Sequence, residues 1–189
     1  MAARAVFLDR DGVINDLVPD PDTGTPESPY SADEVRLMPD AAEAIKQLHD
    51  AGYLLVAVSN QPAAAKGIAS TEQLQAVHNR IVELLAAEGA ALDDWRYCFH
   101  HPDFTGPCDC RKPEPGMLLD AAREHDIDLS QSWMVGDADR DIEAGQRAGV
   151  RTVLVEHPGS AHRRKGAPSD AVVRNLSGAL GIILMGSDR

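Results

Sequence analysis

The sequence predicts an α/β domain of the three-layer, Rossmann-like kind, built on a mainly parallel sheet. Three observations carry that expectation. Short apolar runs recur at Ala5–Asp9 (AVFLD), Tyr53–Ser59 (YLLVAVS), Ser132–Gly136 (SWMVG) and Arg151–Val155 (RTVLV), with a weaker run at Trp95–Phe99. They are strand-sized and bounded by polar or glycine positions. Between them lie segments of helical period, and strands that alternate with helices make a parallel sheet covered on both faces. Finally, the reactive side chains stand where the runs end, at Asp9, Ser59 and Asp137, the edge at which such sheets bind ligands.

In chain order, Asp40–Ala51 places Ala41, Ala44, Ile45 and Leu48 on one helical face and stops at Gly52. Thr71–Glu88 repeats the device. Ser70 and Gln73 have capping-box spacing, Leu74, Val77, Ile81 and Leu84 form the stripe, and Gly89 follows. Further helices are expected at Gly116–His125, Asp139–Ala148 and Leu176–Leu184, the last within a final strand and helix over 170–184. The Gly/Pro-rich stretches Val18–Pro29 and His157–Pro168 read as loops, too short for domain linkers.

The length of 189 residues suits one domain spanning 1–189, with a core large enough to need no staples. Composition is 43% hydrophobic and 25% charged, which argues against disorder. The first residues lack the apolar segment of a signal peptide and no run reaches membrane-spanning length, so a cytoplasmic protein is expected. Eighteen Lys+Arg against thirty Asp+Glu give a net charge of −12, which disfavours nucleic acid and anionic membranes as partners. The lone basic cluster, Arg163-Arg164-Lys165, reads as a solvated loop. An acidic protein that binds an anion needs local cations or a metal.

Asp9-Arg10-Asp11-Gly12 sets two carboxylates two residues apart at a strand end, on one side if the chain is still extended. One carboxylate could attack phosphorus while the other serves as acid and then base, and the pair offers hard oxygens to magnesium. Alone, the pattern is equally that of a polar turn. Ser59, Asn60 and Gln61 add a hydroxyl and two amides suited to phosphoryl oxygens. Arg111 and Lys112 add cations, and Asp137, Asp139 and Asp141 a further acidic group. All three cysteines fall in one short segment as Cys98-x-His100 and Cys108-x-Cys110. Three thiolates and an imidazole make a closed tetrahedral zinc set, though the tight spacing leaves three unrelated reduced thiols as the alternative. His101 reads as a loop residue.

Taken in order, DRDGV, VSNQ, RKPEPGM and VGDADRDIEAG resemble the motif set of the haloacid-dehalogenase-like phosphohydrolases. The resemblance implies Asp9 as nucleophile, Asp11 as general acid/base, and Ser59 with Lys112 as the phosphoryl-stabilising pair. It implies magnesium on Asp137, Asp9 and the Asp11 carbonyl, with Asp141 orienting the cluster. YCFHHP followed by CDCRKPEPGM resembles the zinc loop of the D-glycero-D-manno-heptose-1,7-bisphosphate 7-phosphatases, a group close to the histidinol-phosphate phosphatases. This likeness implies structural zinc on Cys98, His100, Cys108 and Cys110. Arg111 is then expected on the substrate and Lys112 on the phosphoryl group.

The chain departs from that pattern in three places. Pro62-Ala63-Ala64-Ala65-Lys66-Gly67 stands where Ser-Gly-Ile-Ala-Arg-Gly is usual, the loop after the first motif is longer and Pro-rich, and Ala138 replaces a common lysine. The spacing between motifs leaves no room for a large cap, so specificity falls to loops 16–30, 60–68 and 98–112. The expected activity is magnesium-dependent hydrolysis of the C7 phosphate of a heptose 1,7-bisphosphate by a monomer. Alternatives are a histidinol-phosphate phosphatase and an inactive zinc-stabilised binding module.

Overall fold

The computed structural model describes residues 2–20 and 23–186. In chain order the elements are β1 (Ala5–Leu8), β2 (Val18–Pro19), β3 (Pro26–Glu27), α1 (Ala41–Asp50), β4 (Leu54–Asn60) and α2 (Thr71–Ala87). There follow β5 (Asp94–Cys98), α3 (Pro102–Thr105), α4 (Gly116–Glu124), β6 (Trp133–Gly136), α5 (Asp139–Ala148), β7 (Arg151–Val155), β8 (Ala171–Val173) and α6 (Leu176–Met185).

Six strands form one sheet in the order β5-β4-β1-β6-β7-β8, and every pairing in it is parallel. The expected three-layer α/β architecture is the one observed. Successive side chains of β1 point to opposite faces. Val6 and Leu8 join Ile45, Leu48, Leu55, Val77, Ile81 and Ile183 beneath α1, α2 and α6. Ala5 and Phe7 join Val56, Val58, Leu118, Ala121, Met134 and Ala144 beneath α4 and α5. Burial on both faces is why these strands read as continuous apolar runs.

The helix ends follow their local chemistry. Ser70 accepts from the Gln73 backbone N–H while Gln73 returns a bond to the Ser70 N–H, the reciprocal cap expected from the sequence. On α2 the fully buried fourth position of the stripe is Leu85 rather than Leu84, which packs only partly. Asp40 makes no cap bond to its own helix. Its Oδ2 accepts instead from the Ser177 N–H and ties α1 to the start of α6.

Two expected loops are more ordered than their composition suggested. Val18–Pro29 carries the antiparallel pair β2 and β3, with Val18 opposite Glu27 and Pro19 opposite Pro26. Two residues per strand, half of them proline, leave no alternation to read. Residues 21 and 22 of that stretch lie outside the described residues. In the basic triplet Lys165 is exposed as expected, but the two arginines are not simply solvated. Arg164 donates to the carbonyls of His157 and Asp137 and to Ser160 Oγ, while Arg163 is nearly buried against β3.

Candidate active site

The C-terminal ends of β1, β4 and β6, with the loop after β5, bring four motifs together. Asp9 leaves β1 with its N–H bonded to Val135 O, so it still follows the sheet. The chain then turns sharply. Arg10 O accepts from Ile14 N and Asn15 N, and Gly12 sits at φ +89°. A Cβ on Gly12 would lie 2.1 Å from Asp137 Oδ2. Glycine is therefore demanded twice, by backbone conformation and by the close approach of Asp137. Gly136 has the same relation to Asp141, whose Cβ would stand 2.2 Å from a Cβ there.

Lys112 is the centre of the cluster. Its ammonium lies 2.9 Å from Asp9 Oδ1 and 2.6 Å from Asp141 Oδ1, and donates to Val58 O at 2.7 Å. Its side chain is fully buried. Burial pushes the ammonium down, but Asp141 and then Asp9 more than offset this and leave its pKa above the usual lysine value. Lys112 is placed by Asn60, whose amide accepts from Lys112 N and donates to Lys112 O. Asn60 is thus engaged by backbone. Gln61 Nε2 donates instead to two side chains, Asp11 Oδ2 and Ser59 Oγ.

Asp11 is held by five side-chain bonds, two from Arg10 and one each from Asn15, Ser28 and Gln61. Burial pushes its carboxyl up, yet Arg10 and these bonds outweigh burial and bring it below the ordinary range. Asp137 is the opposite case. Burial, then Asp9 and Asp141, push it up to about 7. Both of its oxygens are buried without a hydrogen-bond partner, an arrangement costly enough to call for a cation. One carboxylate oxygen each from Asp9, Asp137 and Asp141 lie within 4.8 Å of one another. Hard oxygens at this spacing fit magnesium.

The second cluster also forms. Cys98 Sγ stands 3.6 Å from Cys108 Sγ and 3.0 Å from Cys110 Sγ, with 3.4 Å between the latter two. His100 Nδ1 lies 3.7 and 3.3 Å from the sulfurs of Cys98 and Cys110. A tetrahedron with 2.3 Å Zn–S bonds has edges of about 3.8 Å, so the donor set suits zinc once the sulfurs open by up to about 0.8 Å. His101 instead caps α3 through Nδ1, accepting from the Asp103 N–H. The cluster touches the loop that carries Arg111 and Lys112. Arg111 Nη1 donates to His100 O, and Gly116, where a Cβ would strike Asp109 O at 2.2 Å, seats α4 against the same loop.

Beyond the carboxylates opens a cleft of about 280 Å³, walled by Lys66, Arg111, Arg140, His162 and Arg163, with Glu27 the acid among its lining residues. Sequence reasoning gave no role to Arg10, Ser28, Arg140, His162 or Arg163. Arg140 lies inside a segment whose acids drew attention, and the loop after β7 is far from the motifs in the chain.

Residues 109–179 match the HAD-hydrolase-like family model. The chain is 40% identical to a D-glycero-beta-D-manno-heptose-1,7-bisphosphate 7-phosphatase of Rhodopseudomonas palustris, covering 77% of this chain and 79% of that one. It is 38% identical to one of Haemophilus ducreyi, over 93% and 94%. The solved D,D-heptose 1,7-bisphosphate phosphatase from B. bronchiseptica, complexed with magnesium and phosphate, superposes with a TM-score of 0.83 at 33% identity, covering 97% of this chain and 99% of that one. The chain belongs to the HAD-like hydrolases and, within them, to the family of the heptose-1,7-bisphosphate 7-phosphatases.

Proposed function

We propose that this protein is a magnesium-dependent phosphoric monoester hydrolase, a single cytoplasmic domain acting as a monomer. It removes the C7 phosphate of D-glycero-D-manno-heptose 1,7-bisphosphate through a phospho-aspartyl intermediate on Asp9. The observation that carries this reading is the buried Lys112 bridging Asp9 and Asp141 at the strand ends, beside the unpartnered Asp137 and under a cationic cleft. The relatives' names supply the substrate. No helix among the described residues is long and apolar enough to cross a membrane.

Magnesium would be held by Asp9, Asp137 and the Asp11 carbonyl, where it would neutralise the phosphoryl oxygens and align them for in-line attack. Asp9 receives the Arg10 N–H and Lys112 on Oδ1, which leaves Oδ2 to attack phosphorus. The bond from phosphorus to the C7 oxygen breaks, and the departing oxygen takes a proton from Asp11. Asp11 then accepts a proton from water, which attacks the phospho-aspartate and releases inorganic phosphate. The resting Asp11 is ionised, the form used in the second step. For the first step it takes up its proton with the substrate, whose phosphate brings negative charge beside it. Ser59 and Lys112 hold the transferring group, a task that is mostly electrostatic. Zinc on Cys98, His100, Cys108 and Cys110 would fix the loop carrying Arg111, which faces the substrate cleft, and Lys112.

Steady-state comparison of heptose 1,7-bisphosphate with histidinol phosphate, with phosphorus NMR of the product, tests the proposal. Expected are a higher kcat/KM for the bisphosphate and loss of the C7 phosphate. Release of the C1 phosphate first, or a preference for histidinol phosphate, would overturn it.

A further inference from the structure

The cleft holds more positive charge than one phosphoryl group requires. The transferring phosphate already has Lys112, Ser59 and the magnesium acids, yet Lys66, Arg111, Arg140 and Arg163 all line the neighbouring space. They follow four different strands, β4, β5, β6 and β7, with Arg140 at the start of α5, so their convergence reflects the site rather than one basic stretch. Arg163 is largely satisfied, since its Nη2 meets Glu27 Oε2 at 3.1 Å and Pro26 O at 2.9 Å. Arg111 donates to His100 O at 3.0 Å.

Arg140 is different. It makes no ion pair or side-chain hydrogen bond among the described residues, and its Nε is buried without a partner. A buried arginine Nε without a protein acceptor is costly, and the guanidinium presents a rigid fork matched to phosphate oxygens. Asp141, Asp9, Asp137 and Asp11 act on it strongly enough to outweigh its burial, which places it beside the reaction centre while it also faces the cleft. Magnesium on Asp9 and Asp137 would withdraw that field and leave the fork free for an anion.

We propose that Arg140 is a specificity residue that binds the phosphate which is not cleaved. This rests on the bisphosphate reading above and adds a residue from α5 to it. Two charge-assisted bonds to phosphate imply a large effect on selectivity.

The test is the ratio of kcat/KM for heptose 1,7-bisphosphate to that for p-nitrophenyl phosphate, measured on the magnesium- and zinc-loaded enzyme. In Arg140→Met the ratio should fall about 100-fold, mostly through KM for the bisphosphate, and Arg140→Lys should recover part of it. Inhibition by the heptose 1-phosphate product should weaken in parallel. A ratio is insensitive to the fraction of enzyme folded, so a merely structural role would leave it unchanged. An unchanged ratio with wild type still preferring the bisphosphate would overturn the role of Arg140 and leave the proposed function standing. A wild-type enzyme with no preference for the bisphosphate would refute both.

Discussion

Replacing Lys112 by methionine removes the one ammonium between two buried carboxylates while keeping a similar volume. The wild-type ammonium pairs with the Asp141 and Asp9 carboxylates at 2.6 and 2.9 Å, donates to Val58 O at 2.7 Å, and has a fully buried side chain. Loss of one partner of such a cluster leaves Asp9 and Asp141 uncompensated, which costs about 3–5 kcal/mol. In a domain of this size each kcal/mol moves Tm by about 2–4 °C, so Tm in EDTA should fall by about 6–20 °C. Magnesium restores positive charge beside Asp9, and the difference in Tm should shrink when it is added. Turnover should fall by about 10²–10³, the usual effect of losing one preorganised donor to developing charge. Calorimetry with and without magnesium, together with steady-state kinetics, measures both effects. An unchanged Tm in EDTA, or unchanged kcat/KM, would refute the placement of Lys112 at the electrostatic centre.

Asp9→Asn should abolish turnover and retain the fold, because it removes the nucleophile; substantial kcat in purified protein would contradict that role. The two metal sites should separate by ligand softness. Brief EDTA treatment should stop activity reversibly while elemental analysis still finds about one zinc per chain. Cys110→Ala should lose zinc, loosen the loop carrying Arg111 and Lys112, and resist rescue by magnesium; unchanged kinetics would make the cysteine cluster incidental. Asp137, pushed up to about 7 by burial and its acidic neighbours, binds a proton more tightly folded than unfolded. Its contribution is present below about pH 4 and is lost as pH rises to about 7. Magnesium takes the proton's place, so the Tm increase on adding magnesium should grow between about pH 5 and 8, and a flat response would count against Asp137 as its ligand.

The sequence was most informative where one physical cause dominates. Strands buried on both faces read as apolar runs, and the capping of α2 by Ser70 and Gln73 is local chemistry that tertiary contacts did not override. The positions of Asp9, Ser59 and Asp137 at strand ends were legible because parallel strands deliver polar residues at one edge, whereas Lys112, well beyond β5, was marked only by its Arg-Lys pair and the motif resemblance. Partnerships across the fold were not legible. Asn60 and Gln61 are amides suited to many acceptors, and only the folded chain directs them to Lys112 and to Asp11. Arg10 lies inside the first motif, but its ion pair with the adjacent Asp11 depends on how the turn at Gly12 folds. Arg163 reaches the cleft because β7 returns its loop to β3, more than a hundred residues earlier in the chain. The β2–β3 pair was missed because proline and two-residue strands leave no periodicity.

The central claim is that Asp9 carries the phosphoryl group during turnover. Borohydride reduces an aspartyl phosphate to homoserine, so quenching the enzyme during magnesium-dependent hydrolysis of heptose 1,7-bisphosphate marks the nucleophile covalently. Peptide mass spectrometry should locate homoserine at position 9, only when both substrate and magnesium are present. Homoserine at position 11 or 137, or no reduction in enzyme quenched at high turnover, would contradict the account.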